Sequence, residues 1–247
     1  MQIELCAFSS SFLVLEPISS STRIELCSNY VEGGTTPSPA SFLEARKKLA
    51  NNIYVMIRPR GGDFLYSMEE FELMKAEISW FKQMGANGFV LGILNADGSV
   101  DEERTSILVK LAAPLPVTFH RAFDASADLN NALEAVIKTA CTRILSSGGS
   151  SNVNEGFSKL LALHKQAKGR IDLMPGGGVT KLNVQQFIDA GFKNIHLSAK
   201  KMQQSKMEFK SNISMTSTSK ISSFDYIGID FDKLNHFTNY VHKNQKI

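Results

Sequence analysis

Arg58, Pro59, Arg60, Gly61, Gly62 and Asp63 follow directly on an apolar, β-branched run, Ile53 to Ile57. Two guanidiniums beside a Pro and a Gly pair suit a rigid pocket for an anion. Arg presents a fixed fork of donors, and Gly lets the backbone approach a ligand closely. A second polar cluster, Thr118 to Asp124, sets His120, Arg121 and Asp124 behind another apolar run. Imidazole and carboxylate at such short spacing are the groups general acid–base chemistry uses. Glycine runs at Ser146 to Gly149 and Pro175 to Gly178 offer backbone donors for phosphate or carboxylate. If the chain is an enzyme, the reading is one that acts on a small anionic or phosphorylated metabolite. Arg58, Arg60, Gly176, Gly177 and Gly178 then hold the anion, while His120 with Glu25 or Asp124 moves a proton. No residue set here selects one reaction, so hydrolysis, isomerisation and aldol-type lysis stay open. A Schiff-base mechanism is disfavoured, because no lysine falls within a predicted strand.

Short β-branched runs that must position these groups recur at residues 2–8, 22–28, 53–58, 88–94, 115–120, 142–147, 170–175 and 194–198. Helical patterns lie between them. Ser67 and Glu70 form a capping box ahead of Phe71, Met74, Ile78 and Phe81 on one face, and Gly85 ends the run. Ser38 and Pro39 open a helix over 40–50, Asp101 heads another over 102–112, and further helices are predicted over 154–168 and from about Thr180 to residue 190. Strands alternating with crossovers of this length predict a parallel sheet. Eight units in one domain-sized chain predict its closure into a (β/α)8, TIM-barrel-like fold. The expectation is a single domain over 1–247, with an irregular excursion at about 199–223 and a closing C-terminal helix that contains Ile227, Ile229, Phe231, Leu234 and Val241. The first helix, over about 10–21, is short because of Pro17 and a serine run.

Alternation along each strand sorts side chains onto two faces. Ile3, Leu5, Ile24 and Leu26 suit the helix-covered outside. That leaves Glu4, Cys6, Glu25 and Cys27 inside, with Tyr54, Met56 and Arg58, Thr118 and His120, and His196 and Ser198. Buried aliphatics fill an ordinary barrel. Carboxylates, thiols and imidazoles are costly there unless paired or functional. Glu4 and Glu25 serve equally as paired structural charges or as an acid–base pair. Cys141, His164, His236 and His242 read as packing or surface residues, and Lys200, Lys201, Lys206 and Lys210 as a solvated face.

The 247 residues carry a net charge of +3, with 43% hydrophobic and 21% charged residues, the composition of a globular domain with a large core. Neither nucleic-acid motifs nor a membrane-length apolar run is present. The N-terminus enters a strand at once without a basic, then apolar, leader, which predicts a cytoplasmic protein. Three cysteines without a CxxC spacing predict reduced thiols.

The motifs together resemble the CutC family over essentially the whole chain. They run through Ile3–Cys6, Arg23–Cys27, Glu32–Gly34 with Thr36–Ser38, Ile57–Phe64 with Tyr66, Gly92–Leu94 with Asp97 and Gly98, Thr118–Asp124, Arg143–Gly148, Met174–Val179, Met207–Lys210 and Ile213–Met215. One departure is Ser20, Ser21 and Thr22, where the family usually has Gly-Ala-Asp. The resemblance implies a TIM-barrel-like fold, a cytoplasmic homo-oligomer, a role in copper homeostasis and copper binding through Cys6 and Cys27. Thiolates suit Cu(I), and neighbouring strands would set the two sulfurs at equivalent places, with Met56 or an imidazole as an extra ligand. The partner is thus a copper ion or, on the enzyme reading, a small anionic ligand.

Overall fold

The computed structural model describes residues 1–8, 18–210, 212–213 and 224–245. Eight strands build the frame: β1 (Gln2–Ala7), β2 (Arg23–Leu26), β3 (Ile53–Met56), β4 (Gly88–Leu91), β5 (Val117–Phe119), β6 (Arg143–Ser146), β7 (Asp172–Pro175) and β8 (Asn194–Leu197). They pair in the order β7-β6-β5-β4-β3-β2-β1-β8, every ladder parallel. Because β8 returns to β1, the β7–β8 seam is the one place among the described residues where neighbouring barrel strands lack a backbone ladder. The Asn194 side chain bridges it, donating to Asp172 Oδ2 at 3.3 Å. The fold is the expected TIM-barrel-like one.

Helices α1 (Pro39–Lys48), α2 (Met68–Gln83), α3 (Glu102–Ala112), α4 (Leu129–Lys138), α5 (Phe157–Ala167), α6 (Val184–Asp189) and α7 (Phe231–Asn244) clad the strands. The capping box of α2 forms in full: Ser67 Oγ accepts from the Glu70 amide, and Glu70 accepts from the Ser67 amide at 2.8 Å. It fixes the phase that turns Phe71, Met74, Ile78 and Phe81 inward. Ser38 caps α1 ahead of Pro39, and Asp101 caps α3. The expected helix over 10–21 lies mostly outside the described residues.

Two apolar groupings show how the strand faces are used. Ile3, Leu5, Ile24, Leu26, Ile53 and Val55 pack with Phe42, Ile78 and Phe81 from the helices. Cys6, Cys27, Tyr54, Met56 and Val90 form a separate cluster inside the barrel. The alternation seen in the sequence therefore holds. Cys141 joins the outer core, and His164 stacks on Phe192 with ring centroids 4.4 Å apart.

Three expectations need correction. The segment after β8 is not irregular from residue 199: Lys200–Gln204 is a strand, β9, paired antiparallel with β10 (Asp225–Ile229). Ile227 and Ile229 belong to β10, and the closing helix starts at Phe231. The helix expected from about Thr180 is the six-residue α6, which begins at Val184. An Asn183 side chain bonded to the Thr180 amide, at 2.8 Å, organises the turn before it.

Gly88 makes the interior possible in one place. A Cβ there would sit 2.7 Å from the Tyr54 ring, whose face the inner cluster needs. Gly88→Ala is expected to destabilise the fold by about 1–3 kcal/mol, the usual cost of overpacking. Urea denaturation checks this, and an unchanged midpoint would contradict the assigned packing.

Candidate functional site

Glu4, at the centre of β1, is fully buried and holds two cationic partners. Arg23 Nε donates to its Oε2 at 2.6 Å, and His196 Nδ1 lies 3.0 Å from its Oε1. Register explains the meeting, because Glu4 is opposite Arg23 on β2 and opposite His196 on β8. The rest of the Arg23 fork reaches Asn194 Oδ1 and the Met174 sulfur. Its guanidinium also stacks over the Tyr54 ring at 4.9 Å, with Arg143 at 5.8 Å from the same ring. Arg143 donates to Thr118 Oγ1 at 3.0 Å. Burial pushes the Glu4 carboxyl upward, but Arg23 and His196 outweigh it and bring it down to about 2.

Above this floor sit two thiols and a second carboxylate. Cys6 Sγ and Cys27 Sγ are 3.9 Å apart, the Cys27 thiol donates to Glu25 Oε2 at 3.5 Å, and His196 Nε2 lies 3.8 Å from that oxygen. Ligand atoms of Cys6, Glu25 and His196 all lie within 4.8 Å of one another. The cysteines are not at equivalent heights, as the sequence suggested. Cys6 is opposite Glu25, so Cys27 stands one pleat nearer the mouth, the stagger a barrel's shear imposes. Cys27 tucks under Gly34, whose absent Cβ leaves room beside its sulfur, and Cys6 alone of the pair faces the cavity.

Protonation follows from burial and neighbours. The contact with Cys27, burial and the nearby Glu25 carry the Cys6 thiol well above its ordinary value. Burial pushes Cys27 up to about 12, and burial also raises Glu25. Burial disfavours a charged His196, yet Glu25, Cys6 and Glu4 prevail and hold the imidazole well above its usual range. His196 is therefore held cationic, 3.8 Å from Glu25, while both thiols stay protonated.

The groups expected to hold an anion and move a proton are distributed differently. Arg58 Nη1 donates to the Glu32 and Gly34 carbonyls and Nη2 to Gly62, which binds two loops together. Arg60 is taken up by Glu70, Asp63 and the carbonyls of Gly61, Asp63 and Leu65, outside the cavity wall. Gly177 and Gly178 line the cavity, whereas Gly176 packs beneath Leu145 and His196. Neither expected partner of His120 is bonded to it. Asp124 is carried by a short 3-10 turn toward β6, where it accepts from Arg121, from Ser146 and from the Ser147 and Gly149 amides. Glu25 bonds toward Cys27 and His196 instead. His120 Nδ1 accepts from the Ala122 amide at 3.2 Å, and burial followed by the Arg58 charge lowers its pKa to about 3. It is a neutral ring whose proton is on Nε2.

A cavity of about 340 Å³ opens at the C-terminal ends of the strands. Cys6, Glu25, Met56, Arg58, His120 and His196 line it, with Phe64, Lys200 and Lys233 toward its rim. Lys200 is exposed, as expected of a solvated face, and at the cavity rim it contacts the Tyr30 hydroxyl and sits 4.9 Å from that ring. It occupies β9, so the ground for disfavouring a strand lysine falls away. Sequence reasoning also passed over Arg23, Arg143 and Asn194. The available signal was phase, since Arg23 shares parity with Glu25 and Cys27.

Fold and site define a parallel (β/α)8 barrel with a buried thiol, imidazole and carboxylate group beneath a cavity rimmed by cations. The CutC family model matches residues 1–201. A human relative named copper homeostasis protein cutC homolog is 43% identical over 225 residues, covering 91% of this chain and 82% of that protein. The crystal structure of a CutC protein from Streptococcus agalactiae superposes with a TM-score of 0.73 at 34% identity, over 78% of this chain and 96% of the other. A deoxyribose phosphate aldolase from Aeropyrum pernix shares the fold alone, with a TM-score of 0.59 at 16% identity over 80% and 85% of the two chains. The chain belongs to the CutC family.

Glu4 yields a pH prediction. Its pKa falls on folding, so its ionised form stabilises the fold above about 4.5, and that contribution is lost as pH falls toward 2. His196 works in the opposite sense: its raised pKa stabilises below about 6.5, and the gain disappears as pH rises through the folded value. Glu4→Gln leaves Arg23 buried without a counter-charge and is expected to cost about 3–5 kcal/mol at neutral pH. Its stability should also vary less than that of the wild type between pH 4.5 and 2. Parallel acid slopes for the two proteins in urea titrations would refute this assignment.

Proposed function

We propose that this protein acts in copper homeostasis by holding Cu(I) on Cys6 and Cys27, with His196 as a third ligand. The observation that carries the reading is the 3.9 Å separation of the two sulfurs beside an imidazole. Thiolate and imidazole are the donors copper favours. Two sulfurs on a linear ion would stand ~4.6 Å apart, taking metal–sulfur bonds of ~2.3 Å. The shorter spacing suits a bent ion with a third donor, and Cys6 is common to the thiol pair and the His196 group. Glu25 then takes the proton that His196 gives up. The names of curated relatives, including the human one, support the copper assignment. Three free thiols suit a reducing compartment, and the cytoplasm is the proposed location.

Homo-oligomerisation belongs to the same proposal. Met202, Met207 and Phe209 are exposed on and beside the β9–β10 pair, and a second copy is the partner proposed to cover them. Phe209→Ser should lower the mass measured by light scattering after size exclusion; identical masses for the two proteins would remove this part.

The central test is titration of reduced protein with Cu(I) against a chromophoric competitor. One ion per chain is expected, with Cys6→Ser/Cys27→Ser abolishing binding and leaving the circular dichroism spectrum unchanged. Because both thiols are protonated beforehand, affinity should rise with pH by about tenfold per unit for each proton released. Full stoichiometric binding in the double variant would overturn the reading.

A further inference from the structure

Three buried polar atoms without a hydrogen-bond partner among the described residues belong to side chains that line the same cavity. They are Glu25 Oε1, Arg58 Nε and His120 Nε2. The residues are 2%, 6% and 3% exposed. Buried polar groups almost always find partners, so three such atoms around one space call for an occupant. The metal reading uses none of Arg58 or His120.

The chemistry of each atom is fixed by its neighbours. The His120 Nδ1 lone pair is taken by the Ala122 amide, which leaves Nε2 as an N–H donor. Three of the five N–H donors of Arg58 go to the carbonyls of Glu32, Gly34 and Gly62, which leaves one Nη2–H and the Nε–H, and Nε has no partner among the described residues. Both groups rest against Phe64: the guanidinium lies 4.9 Å from that ring and the imidazole 5.0 Å. Two N–H donors beside one apolar ring, with one fixed positive charge between them, match a carboxylate. A phosphate dianion needs more donors at one point than these two N–H groups supply. Glu25 supplies the single acidic side chain among the described lining residues, and its free oxygen accepts a hydroxyl proton. The remaining charged lining, Arg121, Lys200 and Lys233, opposes an ammonium group. A volume of about 340 Å³ is at the small end of metabolite sites.

We propose that the cavity binds a small hydroxycarboxylate, its carboxylate on Arg58 Nε and His120 Nε2 and its hydroxyl on Glu25. The site shares Glu25 with the group around the sulfur pair, but takes no ligand atom from either sulfur and needs no metal. Isothermal calorimetry on copper-free, reduced full-length protein tests it, with glycolate, lactate and glycerate as probes and inorganic phosphate and glycine as comparators. Saturable binding of the hydroxycarboxylates is expected, with phosphate and glycine weaker. His120→Phe, which keeps the ring and loses the donor, should weaken binding about 10- to 100-fold, and His120→Gln less. In wild-type protein the ligand should move the His120 Nε2 nitrogen resonance and leave Nδ1 in place, a readout independent of how well the variants fold. The probes are titrated into copper-free wild-type protein and the copper reading is tested by Cu(I) titration, so failure of one is told apart from failure of the other. Absence of saturable heat, equal binding of phosphate or glycine, or an unmoved Nε2 resonance would overturn the proposal, leaving water as the occupant.

Discussion

A single carboxylate, Glu4, is set between a guanidinium and an imidazole in the middle of the barrel, and the surrounding interior is arranged around that balance. Water is excluded from it, so each charge depends on a neighbour on the next strand. Parallel pairing supplies those neighbours, since Glu4 meets Arg23 on one side and His196 on the other. Arg23 in turn fixes Asn194, which spans the seam to Asp172. Electrostatic order at the floor and closure of the barrel are thus one arrangement.

Consequences pass upward from the floor to the cavity. Glu4 and Glu25 together hold the His196 ring cationic, and Glu25 orients the Cys27 thiol. Both cysteines remain protonated until something displaces those protons. A soft cation does so, which makes the same few residues a resting hydrogen-bonded group and a ligand set. The opposite wall is different in kind. Arg58 ties the loops near Glu32 and Gly62, and His120 fills the space that Gly92 leaves by lacking a Cβ, which would come 2.6 Å from the ring. That wall is neutral at His120 and apolar at Phe64, suited to an organic anion.

Much of this was legible before any coordinates. Strict alternation of Ile3 and Leu5 against Glu4 and Cys6, repeated in Ile24 and Leu26 against Glu25 and Cys27, named the inner face because helices must cover the other. The eight strands followed from their β-branched runs, and α2 from its capping box. Stagger was not legible: alternation fixes which face a residue takes, not the height at which strands pair, so Cys6 was set opposite Cys27 when its neighbour is Glu25. Side-chain partners were equally hidden. Arg60 looks in sequence like Arg58, yet its donors are satisfied by Glu70 and Asp63 outside the cavity. Asp124 is four residues from His120, but the short turn between them delivers it to the β6 loop. Arg23 at a strand start reads as a surface residue until its parity with Glu25 is taken seriously. The β9–β10 pair escaped because Lys200 to Gln204 lacks any apolar alternation.

X-ray absorption at the copper edge, on reduced protein loaded with one equivalent of Cu(I), tests the central claim most directly. The account predicts a three-coordinate ion with two sulfur neighbours and one nitrogen, and loss of the nitrogen when His196 is replaced by Phe. A first shell made only of nitrogen and oxygen would contradict it.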